Sequence, residues 1–426
     1  ERRPGALIGT DGGPDGGLDA GAAGGSSTNA RPPDALYVHV PFCVSHCPYC
    51  DFVVVAGREA RGPANRIDAF VRALEVELAL RAAALDATWG TDRPPLASVY
   101  LGGGTPSLLP AASLARLLGI VRERFGIADG AEVTLEVNPG PDERGDAAAQ
   151  AGAGVTRISI GAQSFDRGEL RTLGRRHAAG DVGATVAAAQ SAGIASVSLD
   201  LLYDVPGQTA ASWDRTLEEA LALEPDHLSL YALTLDDPDA EGLTGAAGDH
   251  LPVSPGARRW RVRARAGQDD DRAAELYEAA DRRLAAAGYQ WYEISNWARP
   301  GHESRHNLAY WQAGTWEAVG PGAHAFDGAT RRWNAARLDA FLGALTPSGR
   351  RQPALPPGAS ERAAAGDAFM LRLRTRAGLP ASALVSDRGS ALQWAINHGL
   401  VERAGDVLAL TLRGRLLSNE VFARLV

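Results

Sequence analysis

The chain has 426 residues, 45% of them hydrophobic and 22% charged, with a formal net charge of -8. That is enough apolar material for a large core, and the length suits two or three domains. The acidic balance excludes a global attraction to nucleic acid or anionic membrane, and the longest apolar runs fall well short of a membrane span.

Residues 1–33, "ERRPGALIGTDGGPDGGLDAGAAGGSSTNARPP", have no continuous apolar stretch and are broken by glycine and aspartate. They read as a disordered, low-complexity tail and not as a signal peptide. From there short β-rich runs alternate with helical ones. Strands are expected at "ALYVHV" (35–40), "ASVYL" (97–101), "EVTLEV" (132–137), "VTRISI" (155–160), "SVSLDLL" (196–202) and "HLSLYAL" (227–233). Helices are expected between them, including one continuous stretch over "ELRTLGRRHAAGDVGATVAAAQSAG" (169–193). In the first helix Ile67, Phe70, Val71, Leu74 and Leu78 recur at helical spacing, with charges on the other face. Such alternation with short loops predicts parallel strands joined by crossover helices. An open doubly wound sheet and an incomplete barrel both satisfy the pattern. Glycine-rich or polar loops after all six strands lean toward the barrel, where active sites are built from the carboxyl ends of many strands.

Beyond Asp237 the alternation fades. "GAAGDHLPVSPGARRWRVRARAGQDDD" reads as a charged surface excursion, followed by a helix at 270–287 and an aromatic-rich segment containing "RHNLAYW". Three structured regions are expected: a core at 34–245, an extension at 246–350, and a C-terminal module at 351–426. The module, with helices at 361–376 and 385–400 and a closing hairpin and helix, resembles a small winged helix. Its closing helices carry Leu and Val with only scattered Arg, so it is expected to pack on its own chain and not on DNA.

All three cysteines, Cys43, Cys47 and Cys50, sit in "YVHVPFCVSHCPYC" (37–50). An odd, clustered set makes a poor disulfide framework and suits a reducing compartment, so a cytoplasmic location is expected. Structural zinc wants four ligands, which His39 or His46 would have to complete. A redox pair leaves Cys43 unexplained. A four-iron cluster held by three thiolates leaves one iron open for chemistry. Zinc in a non-catalytic interaction protein stays open beside it.

"FCVSHCPYC" has the CxxxCxxC spacing of radical S-adenosylmethionine (SAM) enzymes. Residues 35–426 resemble the oxygen-independent coproporphyrinogen III oxidase family. The resemblance implies a partial (β/α)6 barrel of α/β class, a [4Fe–4S] cluster on Cys43, Cys47 and Cys50, and SAM on the fourth iron. Reductive cleavage of SAM in that family yields methionine and a 5'-deoxyadenosyl radical. "LGGGTPSLL" fits the family's SAM loop, so Gly103, Gly104 and Thr105 are expected at its methionine end; glycines also let backbone approach a ligand. Glu136 in "LEVNPG", Gln163 in "GAQSF", Arg175 in "LGRRH" and Asp200 in "VSLDLLYDVPGQT" match its SAM contacts one by one. Tyr37, Tyr49 and Ala232 match less diagnostic ones. Taken singly, Glu136 and Asp200 read as strand-end caps and Arg175 as a surface residue.

Two departures separate the chain from the true oxidases. Phe52 stands where they carry a fourth cysteine, and the N-terminal tail lacks their longer pattern. Both bring it closer to the HemW group of haem chaperones, which "RHNLAYW" also resembles through its HNxxYW motif. The resemblance implies haem binding near His306, with Tyr310 and Trp311 against the macrocycle; His302 and His324 are weaker candidates. Trp291, Tyr292 and Trp297 read as packing. The expected partners are haem and a haem-accepting protein, with a homodimer allowed, no nucleic acid, and at most transient membrane contact through the acceptor. The alternative function is radical oxidative decarboxylation of coproporphyrinogen III. No residue is assigned as a catalytic acid or base.

Overall fold

The structure is a computed structural model, and it describes residues 30–364 and 366–425. At its centre six strands lie side by side in chain order: β1 (Ala35–Val40), β2 (Leu96–Gly103), β3 (Ile127–Val137), β4 (Arg157–Gln163), β5 (Ser196–Tyr203) and β6 (His227–Ala232). Every neighbouring pair among the six is parallel. Helices α1 (Ile67–Trp89), α2 (Ala111–Arg124), α3 (Ala147–Ala153), α4 (Arg167–Thr172), α5 (Ala179–Ser191) and α6 (Ala210–Ala222) make the crossovers. Helices cover one face of the strands and the lumen lies on the other. The strands therefore alternate: Leu36, Val38, Val133, Leu135, Ile158, Ile160, Val197, Leu199, Leu228 and Leu230 pack in the core, and Tyr37, His39, Thr134, Glu136, Ser159, Asp200 and Ser229 stand between them.

The sheet continues past both ends of this set. Beyond β6 come antiparallel β8 (Asn296–Ala298) and β7 (Gln290–Glu293). On the other side β9 (Trp316–Val319) runs parallel to β1, followed by antiparallel β10 (His324–Phe326), β11 (Thr330–Asn334) and β12 (Gly358–Arg362). The two end strands do not pair, so the twelve strands form a partial barrel, as the loop pattern leaned.

The expected helix over 169–193 is two helices. Gly174 adopts φ 71°, a left-handed conformation that ends α4 and leaves Arg175 in the break. The excursion after Asp237 is also more ordered than expected. It contains α7 (Pro255–Arg265), started by the Ser254 side chain accepting from the amide of Ala257, with Pro255 at the first helical position. Helix α8 (Asp270–Ala286) follows.

Most of the expected tail lies outside the described residues. Its last residues are tied down: the Arg31 amide donates to the Asp327 carbonyl, and the Pro32 carbonyl accepts from Thr315 Oγ1.

Residues 351–362 hold β12 and so join the large sheet. The C-terminal unit gathers after them, around Met370, Leu373, Leu379, Leu392 and Leu408. Its small sheet places Val407–Leu410 between Leu379–Pro380 and Val401–Ala404. Arg415 docks it: the guanidinium donates to both Asp281 oxygens at 2.9 and 3.0 Å and lies 4.5 Å from the Trp291 ring. Trp297 is fully buried and donates from its indole to Asp281, and Tyr292 donates to or accepts from His227 at 2.8 Å, which bears out their reading as packing.

A candidate cluster and SAM site at the barrel mouth

The cysteine loop leaves β1 at the carboxyl end of the barrel. Phe42 and Cys43 pair with Val55 and Ala56, and a turn brings the Cys50 amide to the Cys47 carbonyl at 3.1 Å. Buried Arg261 of α7 anchors the loop from outside, donating to the carbonyls of Pro48 (3.2 Å), Tyr49 (3.3 Å) and Cys50 (2.9 Å). Sequence reasoning missed this residue. The signal was the helix face Ala257–Arg261–Ala264, where an arginine sits between two small apolar residues that are themselves buried.

Two of the thiols face polar partners on two other loops. Cys43 Sγ lies 3.3 Å from Thr105 Oγ1, and Arg175 Nη1 donates to Cys47 Sγ at 3.8 Å. Asn138 joins the two: its amide donates to Thr105 Oγ1 at 2.9 Å and its carbonyl oxygen accepts from Arg175. Asn138 belongs to the "NPG" loop, which the sequence marked without singling out the residue. Burial pushes the Cys43 thiol up to about 12 and the Cys50 thiol well above its usual range. Bare thiolates are therefore disfavoured, and a metal cluster supplies the positive charge that would ionise them. Among the described residues no three His, Cys, Asp or Glu side chains gather into a site for a single metal ion. A soft three-thiolate set on one loop, with Arg175 beside it, fits an iron–sulfur cluster.

The glycines of "LGGGTP" serve the protein first. A Cβ on Gly103 would lie 2.3 Å from the His39 ring, and one on Gly104 would lie 2.8 Å from backbone of residues 40–42. His39 donates from Nε2 to the Val53 carbonyl at 2.9 Å, which leaves Nδ1 to accept from Tyr37 OH at 3.0 Å. Tyr49 packs beside Trp260. The glycine loop, His39 and the cysteine loop thus form one close-packed unit.

Deeper in the lumen, Glu136 accepts from Tyr100 OH and from the Gly103 amide, both at 2.9 Å. Desolvation, aided by the charge of Asp200, raises its carboxyl to about 7. Asp200 accepts from Ser159, and burial raises its pKa as well. Gln163 has φ 64° at the end of β4, an uncommon conformation for a residue with a side chain. Arg175 Nε is buried without a partner among the described residues. Ala232 closes β6 opposite Tyr203. The structure thus brings Glu136, Gln163, Arg175, Asp200 and Ala232 to the carboxyl ends of β3 to β6 and the breaks that follow them, around the cysteine loop. Two buried carboxylates, the positive-φ Gln163 and the unpartnered Arg175 Nε suit a charged, hydroxyl-rich ligand such as SAM.

His306 is placed differently from the expectation. Helix α9 (Arg305–Trp311) plugs the amino end of the barrel, and the Glu132 carboxylate accepts from the amides of Arg305 and His306 at its start. His306 is 1% exposed, with Nδ1 at 3.0 Å from Ser98 Oγ and Nε2 at 2.7 Å from Tyr310 OH. Burial lowers its pKa to about 3. An iron ligand needs a free nitrogen on an accessible face, and His306 offers neither. The HNxxYW residues instead join barrel to module: Tyr310 packs edge-on to Trp316 at 4.4 Å, and Arg374 lies 4.3 Å from the Trp311 ring. His302, 3.8 Å from Asp226, is also at the amino end. His324 is at the mouth, donating from Nε2 to Asp249 at 2.8 Å.

Comparison with known proteins agrees with this geometry. Residues 37–220 match the radical SAM superfamily. The chain is 39% identical over 398 residues to the heme chaperone HemW of Mycobacterium tuberculosis, covering 92% of this chain and 95% of that protein. It is 36% identical over 293 residues to heme chaperone HemW of Escherichia coli, covering 69% and 70%. In structure it is similar to coproporphyrinogen III oxidase (HemN) of Escherichia coli, with a TM-score of 0.74 over 93% of this chain and 90% of that one. At 23% identity that likeness speaks for the fold alone. On the sequence similarity to both relatives, the chain belongs to the HemW family within the radical SAM superfamily.

Proposed function

We propose that this protein is a haem chaperone that binds haem and passes it to an acceptor protein, and that it carries a [4Fe–4S] cluster and SAM at the barrel mouth. The observation that carries the first part is the similarity along nearly the whole chain to a protein named heme chaperone HemW. Phe52, 61% exposed, supports it: no thiol stands there to assist oxidase chemistry. Cys43, Cys47 and Cys50 are the thiols that would hold the cluster. In this superfamily the cluster supplies an electron to SAM.

The chain's own residues bind and orient. Thr105 and Asn138 brace Cys43, Arg175 balances charge beside Cys47, and Arg261 fixes the loop's backbone. Glu136 and Asp200 present carboxylates to the lumen as acceptors for ammonium and hydroxyl groups. Gly103 and Gly104 let the second loop press against the first, which shields the thiols from water.

Among the described residues no helix is long and apolar enough to cross a membrane. A cytoplasmic protein, self-associating or not, that meets a membrane only through its acceptor is consistent with that. The test is a paired assay on the protein reconstituted anaerobically with iron and sulfide. It should bind haem and deliver it to an apo-haemoprotein, and leave coproporphyrinogen III unchanged with SAM and reductant. Formation of protoporphyrinogen would replace this reading with the oxidase one. Zinc in place of iron would remove the cluster.

A further inference from the structure

Helix α7 runs against the charge of the chain that carries it. The formal net charge is -8, yet α7 holds Arg258, Arg259, Arg261, Arg263 and Arg265 and no acidic residue. Arg258 pairs with Asp237 and Asp239, Arg261 donates to the cysteine loop, and Arg265 donates to the Leu235 carbonyl. Asp236 lies in the field of Arg261 and Arg265, and Asp51 and Glu241 face His250. Arg259 and Arg263 are left over: both are exposed and make no hydrogen bond or ion pair among the described residues. Val262, 69% exposed, shares their face of the helix. Unpaired positive charge around an apolar residue, on an acidic molecule, favours a negatively charged partner.

The other side of the same helix touches the thiol loop. Arg261 reaches the carbonyls of Pro48, Tyr49 and Cys50, and the half-buried Trp260 ring lies 6.5 Å from that of Tyr49. A partner seated on Arg259 and Arg263 therefore stands about 10 Å, one helix diameter, from the loop that bears the thiols. An electron carrier needs that proximity, whereas a haem acceptor does not. One short helix with a single large exposed apolar residue suits the small, transient interfaces of redox encounters. It offers too little apolar surface to bury in a bilayer.

Resting on the cluster reading, we propose that Arg259, Val262 and Arg263 form the docking surface of an acidic one-electron carrier protein that reduces the cluster. One electron passes inward: the carrier is oxidised by one, the cluster is reduced by one, and no bond is broken. The test uses the full chain loaded anaerobically with iron and sulfide, with a flavodoxin as the acidic carrier. Wild type should bind it, with affinity falling at least about tenfold between about 50 and about 300 mM salt. Arg259→Glu with Arg263→Glu should weaken binding at least about tenfold and slow electron transfer from the reduced carrier by a similar factor. Iron per chain and reduction by dithionite should be unchanged in this variant. Arg259→Lys with Arg263→Lys, which keeps the charge, should bind as wild type does. Carrier binding that is absent, or equal in wild type and the glutamate variant, overturns the inference and leaves the cluster reading intact. Binding to phosphatidylserine vesicles but not to the carrier, lost in the glutamate variant, overturns it too and makes the face a membrane contact. A chain that takes up no iron removes the cluster reading and this inference with it.

Discussion

Glu136 and His306 sit in the same lumen, and burial acts on them in opposite senses. The Glu136 carboxyl is raised to about 7, so it is protonated below neutrality and ionised above it. If it accepts from cationic SAM, affinity should rise between about pH 6 and pH 8. Equilibrium binding should show this slope for wild type, and Glu136→Gln should flatten it and weaken binding about tenfold. His306 is held neutral, its pKa lowered from an ordinary 6.5 to about 3. The unfolded chain binds that proton more readily, so the stability it lends is whole above 6.5 and is lost as pH falls toward 3. His306→Ala would leave Ser98 and Tyr310 without their partner and open a void beneath Tyr100. A loss of about 3 kcal/mol in denaturant unfolding is expected. A near-neutral effect would show that the imidazole is not the strut its two hydrogen bonds indicate.

Among elements, α7 and the break between α4 and α5 act on the cysteine loop from outside it. Arg261→Ala removes three carbonyl anchors while leaving the thiols in place. Iron per chain after reconstitution should fall and cluster loss under dilution should quicken, with the barrel's circular dichroism unchanged. Gly174→Ala asks an L-residue to take φ 71° with Pro48 Cδ 3.0 Å from the new Cβ. It should cost about 1–2 kcal/mol and displace Arg175, seen as weaker SAM binding. Neither element was legible. Arginines spaced along "RRWRVRAR" look like a solvated face, and "LGRRH" sits inside a run of good helix formers. The resemblance marked Arg175 without the break that frees it from a helix, whereas Arg261 is revealed only by its partners, three backbone carbonyls of the cysteine loop.

At the scale of the whole molecule, the HNxxYW helix and Arg415 tie the C-terminal unit to the barrel. Arg415 reaches Asp281, Tyr277 and Trp291 at once, with its side chain 7% exposed. Arg415→Ala leaves Asp281 with its strongest partner gone and should cost about 3 kcal/mol. Calorimetry should then resolve the C-terminal unit melting ahead of the barrel. A single unshifted transition would mean that the apolar contacts between the two suffice without it.

The parallel core and the identity of the thiol loop were determined by sequence alone. Strand hydrophobicity, crossover helices and the spacing of Cys43, Cys47 and Cys50 are local properties, carried by contiguous residues. The positions that matched the radical SAM pattern also came together at one mouth, because loops at the carboxyl ends of parallel strands converge whatever their separation in the chain. Tertiary structure decided the rest. It made Gly103 and Gly104 packing requirements of His39 and the cysteine-loop backbone, moved His306 into a sealed base with both nitrogens engaged, and paired His250 with Asp249 in a segment that reads as featureless. Burial and hydrogen-bond occupancy depend on neighbours distant in sequence, and they determine whether a histidine is a sealed strut or keeps an accessible edge.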